Sequence, residues 1–299
     1  MQVLKCLPSR IRLKEEHVDS LSFSQEKQKH LLASDFGLFT ALWWPDAPVE
    51  QLEVLAYLII WLFTWDDEID EPSGSFSEDF AAAESYRNDT LKFVGICLGL
   101  TPKEPGFVPK NHIVQSFDVI GAALRSSYDT TQCRRFYDEI AGLMAASQLE
   151  QDHRLSGNLP TLEEYWTFRL GTSAVYIGTA VGEYSLSVRL PLHIMQSESM
   201  KSIWTETNII ISITNDLLSL RKEIVRGCID SIVPLAFVSM DDTSTVIAHT
   251  INALRASKNR FDLAAEALVG EARQSNCIDD VQRFIQVQRS NCVGNLVWR

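Results

Sequence analysis

Much that would narrow a function at once is missing from this 299-residue chain. It has no run of Lys and Arg, and 27 basic against 39 acidic residues leave a formal net charge of -12. That balance argues against nucleic acid and anionic membrane surfaces as general partners. The six cysteines (Cys6, Cys97, Cys133, Cys228, Cys277 and Cys292) are scattered, with no CxxC pair and no zinc spacing. Most read as small core residues in a reducing compartment. The apolar runs at 54–63 and 209–213 are too short to span a bilayer. Met1 to Lys14 carries basic residues but no sustained apolar stretch, so no signal peptide is expected and the expected location is the cytoplasm. Internal repeats, low-complexity segments and linker-like shifts in composition are absent as well. No segment alternates convincingly as a strand would, and only 229–238 is ambiguous on its own.

What is present is apolar material at helical spacing. Hydrophobic residues make up 45% of the chain and charged residues 22%, enough to bury a large core. The stretch 26–44 reads as a helix with Leu31, Leu32, Phe36, Phe39 and Leu42 inward, ended by Pro45. Asp46 is the expected N-cap of the next helix, with Pro48 in its first turn and Pro72, Ser73 and Gly74 closing it. Further helices are expected over about 77–99, 111–127, 130–153, 161–187, 199–224, 231–239, 244–269 and 277–297, with a surface loop at 101–110. Thr161 and Glu164 have capping-box spacing. Gly171, Gly178 and Gly182 fall inside the 161–187 helix, each costing roughly 1 kcal/mol against Ala. They mark kinks or close helix contact, or tight packing alone. The expectation is a single all-α domain over 1–299, with 1–25 as an N-terminal segment lying across it.

The chemistry is concentrated in two stretches. The first is Trp61-Leu62-Phe63-Thr64-Trp65-Asp66-Asp67-Glu68-Ile69-Asp70, where an apolar helix face set by Leu55, Leu58, Ile59 and Leu62 runs into four acids. Asp66 and Asp70 stack one turn apart, and Asp67 points about 100° away. Carboxylates at a helix C-terminus work against the helix dipole, so something cationic should compensate. A hard divalent metal such as magnesium, bound through oxygens and carrying substrate phosphates, would do so; the plain alternative is a solvated helix end. The second stretch is Asn215-Asp216-Leu217-Leu218-Ser219-Leu220-Arg221-Lys222-Glu223. Asn215, Ser219 and Glu223 lie at i, i+4 and i+8, so three oxygen ligands share one face and suit a hard metal rather than zinc or copper. Ile209, Ile210, Ile211 and Ile213 make this helix apolar nearly all round and therefore buried. Its plain alternative is a polar exit turn on a core helix.

Taken as a pair, these stretches resemble the DDxxD and NDxxSxxxE motifs of class I terpene synthases, in the family's order and 145 positions apart. The run Phe36 to Asp70, with Trp44-Pro45-Asp46-Ala47, is similar to the microbial and especially the fungal branch. The resemblance covers most of the chain and implies an all-α helical bundle around a central apolar pocket. It implies that Asp66 and Asp70 hold two magnesium ions and that Asn215, Ser219 and Glu223 hold a third. Arg169, 46 positions before Asn215, looks like the family's diphosphate-sensing arginine, with Lys222 as a second diphosphate contact. The plain alternative for Arg169 is a surface ion pair. Thr172 and Ser173 fall where the family breaks this helix. Among Phe36, Phe39, Trp61, Phe63, Trp65 and Trp298, Phe63 and Trp298 are assigned to the pocket and most of the rest to plain core. One departure stands out: the family's C-terminal Arg-Tyr pair does not appear before Arg299.

The implied activity is magnesium-dependent ionisation and cyclisation of a linear isoprenyl diphosphate, farnesyl diphosphate first and geranylgeranyl diphosphate second, with release of diphosphate. A sesquiterpene hydrocarbon or alcohol would be the product. A chain-elongating prenyltransferase is the near rival, but that family usually carries a second DDxxD, which Asn215 to Glu223 is not. A non-catalytic helical scaffold is the rival of another class. Nothing in the sequence decides between a monomer and a homodimer.

Overall fold

The computed structural model describes residues 29, 31, 33–227, 229–240 and 242–298. Among the described residues there is no strand, and no helix is long and apolar enough to cross a membrane. Leu32, Cys6, Cys228, Arg299 and the proposed N-terminal segment 1–25 lie outside them. Two compact units are formed. One takes the described residues up to Met144 together with Tyr184–Ser187; the other takes Ala145–Glu183 and the residues from Val188 onward.

In the first unit, helix α1 (Phe36–Trp43) packs on α2 (Val49–Asp70), which in turn meets α4 (His112–Gln115) and α5 (Phe117–Ser127). Helix α3 (Phe80–Cys97) packs on α4 and α5. The first expected helix is interrupted: residues 29, 31 and 33 are helical, and then Asp35 adopts a left-handed backbone (φ 49) and caps α1, accepting from Leu38 N at 3.2 Å. Asp46 does not cap α2. Pro48 occupies the N-cap position with φ -54 and ψ 155 and has no side-chain hydrogen bond to offer. Along α2, Leu52, Leu55, Leu58, Ile59, Trp61, Leu62 and Trp65 are buried, each large side chain contributing about 1.5–3 kcal/mol. The indoles of Trp61 and Trp65 are core: Trp61 Nε1 donates to Ile113 O at 2.8 Å and Trp65 Nε1 to Thr90 Oγ1 at 3.0 Å. The expected 111–127 helix is divided at Ser116, whose N–H bonds His112 O.

Helix α6 (Thr130–Ser156) leads to the second unit. Three helices, α7 (Leu162–Thr172), α8 (Val175–Ala180) and α9 (Gly182–Leu186), replace one expected helix, and α9 passes from the second unit back to the first at Tyr184. The capping box is formed: Glu164 N donates to Thr161 Oγ1 at 3.2 Å and Thr161 N to Glu164 Oε2 at 2.7 Å. The break falls not at a glycine but at Ala174, in the left-handed region with φ 55. Gly182 is a close contact instead, since a Cβ there would lie 2.7 Å from the Phe284 ring. After α10 (Leu192–Met195), the long helix α11 (Glu198–Arg226) is capped by Ser197 and packs on α13 (Thr243–Arg273) and α14 (Ile278–Trp298). The ambiguous stretch leads into the short helix α12 (Ile232–Met240), whose Pro234 sits in the first turn, where its missing N–H does no harm. Tyr165, Phe168, Ile213, Ile232, Val233, Leu235, Ala236 and Val246 form one apolar cluster that joins α7, α11, α12 and α13.

Burial pushes the Cys97 thiol up to about 11 and the Cys292 thiol up to about 12. Both stay protonated at neutral pH, in keeping with core packing rather than thiolate chemistry.

Candidate active site

The first motif ends α2 in the first unit. Asp66, Asp67 and Asp70 are half-buried, while Glu68 turns inward and is 8% exposed. The compensation expected for acids at a helix C-terminus comes partly from backbone N–H groups folding back. Phe76 N donates to Glu68 O at 2.8 Å, and Ser75 N reaches Glu68 Oε2 at 3.4 Å. This return requires Gly74, because a Cβ there would lie 2.4 Å from Asp67 O. Tyr86 stacks on Trp65 with ring centroids 5.3 Å apart. Burial, then the Glu68 and Asp66 charges, hold its phenol well above the ordinary range, so it stays protonated. Phe63 is half-buried beside Phe36 (4.8 Å) and Phe39 (6.1 Å), in an aromatic group contributed by α1 and α2.

The second motif lies on α11 in the second unit. Asn215 is half-buried and Ser219 is 6% exposed, its Oγ donating to Asn215 O at 2.7 Å. Glu223 Oε2 is buried without a hydrogen-bond partner. A buried carboxylate oxygen left in this state is costly unless a ligand satisfies it. With an amide, a hydroxyl and a carboxylate on one face, the donor set fits a hard divalent cation. Among the described residues no three His, Cys, Asp or Glu side chains gather as a metal cluster. The ligands suited to a metal on α11 include an amide and a hydroxyl instead. Lys222 is exposed.

Arg169 is brought to the second motif. Its Nη2 donates to Asp216 Oδ1 at 2.8 Å and to Asn215 Oδ1 at 3.3 Å. The Arg169 side chain is 19% exposed and that of Asp216 only 2%, so this is no surface ion pair. Burial works against the guanidinium charge, but Asp216, Tyr165 and Glu150 outweigh it and raise the Arg169 pKa. One donor is spare: Arg169 Nε is buried and has no hydrogen-bond partner, as befits a group awaiting an anion. Asp216, which the motif reading passes over, is the hub of the arrangement. Its Oδ2 accepts from the Tyr165 hydroxyl and, at 3.0 Å, from Ile232 N at the start of α12. Two signals in the sequence could have found it. An acid on a helix apolar nearly all round must be paired, and Tyr165 precedes Arg169 by one helical turn. Thr172 reaches Glu150 Oε1 at 3.4 Å, and Ser173 bonds Asn208 Oδ1 at 2.7 Å. Trp298 is half-buried.

Residues 57–244, which hold both motifs and Arg169, match the family model described as Terpene synthase family 2, C-terminal metal binding. The chain is 35% identical over 285 residues to the sesquiterpene cyclase hepA of Aspergillus oryzae, spanning 92% of this chain and 77% of that protein. The chain belongs to the terpene synthase family. It is a class I terpene cyclase, with a divalent-metal-binding domain. Silphinene synthase peniA of Penicillium patulum is 26% identical to this synthase over 282 residues, 93% of this chain and 74% of the relative. In fold, the synthase is similar to the crystal structure of linalool/nerolidol synthase from Streptomyces clavuligerus, at a TM-score of 0.82 and 15% identity, covering 97% of this chain and 98% of that one.

Proposed function

We propose that this synthase converts farnesyl diphosphate to a cyclic sesquiterpene and releases diphosphate, with magnesium as the metal. Both units would serve one catalytic domain, a reading supported by the family match running through residues of each. Asn215, Ser219 and Glu223 would hold one magnesium ion, and Asp66 and Asp70 would hold two more. Bound there, magnesium supplies positive charge to the departing diphosphate.

The chain's own residues do the rest. Arg169 grips the diphosphate through its spare Nε–H, while Asp216 and Tyr165 keep the guanidinium charged and oriented. Lys222, at the exposed end of the motif, adds a second cationic contact. By the family resemblance, Phe63 and Trp298 would be the aromatic residues that exclude water from the cation left after ionisation, and Thr172 and Ser173 would shape the helix break. The observation that carries this reading is that one unit holds two orphaned buried polar atoms of complementary kind. Arg169 Nε lacks an acceptor and Glu223 Oε2 lacks a donor.

Thermal melting tests it. Magnesium with inorganic diphosphate, at 100 times the dissociation constant, should raise stability by about 2.7 kcal/mol, and neither component alone should match that. An unchanged melting curve at saturating concentrations of both would remove the proposed binding site.

A further inference from the structure

We propose that Asn208 is a positioning residue. It locks the break between α7 and α8 onto α11, the helix that carries Asn215, Ser219 and Glu223, and so sets the reach of Arg169 to that face. The contact is independent of any functional reading, but its consequence for diphosphate rests on the function proposed above.

Asn208 is wholly buried, and its side chain bonds both sides of this junction. At the end of α7 the helical ladder fails. Ala174, with φ 55, turns its N–H to Gly171 O at 3.2 Å, which leaves Leu170 O without its i+4 donor. Asn208 Nδ2 supplies the shorter replacement at 2.6 Å, and Ser173 Oγ lies 3.2 Å from the same oxygen. Asn208 Oδ1 accepts from Ser173 Oγ at 2.7 Å and from Ser212 Oγ at 3.1 Å. Ser173 Oγ in turn accepts from Val175 N, the first residue of α8, at 3.3 Å. One amide therefore satisfies both sides of the break.

Its place on α11 gives this bond a function. Asn208 stands seven residues before Asn215, two turns along nearly the same face. Leu170, which it holds, directly follows Arg169, which Asn215 and Asp216 hold. The same two helices are thus joined by two rungs, and loss of the Asn208 rung frees α7 to slide or rotate on α11. A misplacement of about 1 Å at a reacting centre can cost about 10²-fold in rate.

The experiment compares Asn208→Asp, which keeps the acceptor and loses the donor to Leu170 O, with Ser212→Ala, which removes only a same-helix contact. Amide hydrogen exchange is read first because it needs neither metal nor substrate. The expected result for Asn208→Asp is lost protection over residues 173–178, with the middle of α11 unchanged. Calorimetry with magnesium and inorganic diphosphate should then show binding weakened about tenfold or more, the cost typical of a lost partner behind a ligand. Ser212→Ala should stay within about twofold of the parent in binding. Should Asn208→Asp fail to fold, Ser173→Ala removes the 2.7 Å rung from the other side and is expected to give the same pattern at smaller size. Unchanged exchange at the break in whichever variant folds, or parent-like diphosphate binding despite a loosened break, overturns the proposal. If the parent itself binds no diphosphate, the proposed function fails, and the exchange result still decides whether Asn208 holds the break.

Discussion

Replacing Glu223 by Gln is expected to lower product formation by about 10³-fold while leaving the melting temperature unchanged or slightly raised. The two effects separate because of where the Glu223 carboxylate sits. Its Oε2 is buried and makes no hydrogen bond within the protein, so the folded state loses nothing when the charge is removed. An amide of the same shape is a neutral group and costs less to bury than a carboxylate. Catalysis has the opposite requirement, since a charged oxygen on the face shared with Asn215 and Ser219 is what attracts a hard cation. Steady-state turnover of Glu223→Gln beside its melting curve checks the prediction. A variant that is markedly less stable, or one as active as the parent with the same magnesium requirement, would show that Glu223 belongs to the scaffold.

Asp216→Ala should damage both properties at once. Asp216 is 2% exposed and serves three donors from two segments: Arg169 and the Tyr165 hydroxyl on α7, and Ile232 N on α12. Its removal strands a largely buried guanidinium and a helix-starting N–H, a loss of the kind that costs about 3–5 kcal/mol. The same change lets Arg169 swing away from Asn215, and a loss of about 10²-fold in turnover is expected from the misplaced cation. Asp216→Asn separates the contributions. It can still accept from Ile232 N, so stability should fall by less than in Asp216→Ala, while Arg169 loses the charge that outweighs its burial. Denaturant unfolding together with diphosphate binding reads both quantities. Parent-like diphosphate binding in Asp216→Ala would rule out a role for this carboxylate in presenting Arg169.

Particular residues show what a sequence can reveal of such a fold. The two motif helices were legible because their evidence is local. Apolar positions recur along Leu55, Leu58, Ile59 and Leu62 and run into acids, and Asn215, Ser219 and Glu223 recur every four residues. The Thr161–Glu164 capping box is equally local, and it forms as its spacing implies. Interruptions were legible only in part: the family resemblance set one at Thr172 and Ser173, where α7 ends, but not the one at Ser116. Nothing at Ser116 or Ala174 announces a break in the language of Gly and Pro, and Ala174 takes a left-handed backbone in a segment that Asn208, 34 positions later, completes. Asp46 illustrates the opposite error, a good capping residue passed over because the helix begins behind Pro48. The hub at Asp216 depends on Tyr165 and Arg169, which lie 51 and 47 positions away, and no local pattern carries pairings at that range. Glu68, one of four acids read as a cluster, turns out to anchor the chain that follows the helix.

Incubation of the purified protein with farnesyl diphosphate, with magnesium and with a chelator, followed by gas chromatography of the extract, tests the central claim most directly. A cyclic sesquiterpene hydrocarbon or alcohol that appears with magnesium and vanishes with chelator is the predicted result. A longer linear diphosphate, or the same product with metal removed, would contradict it.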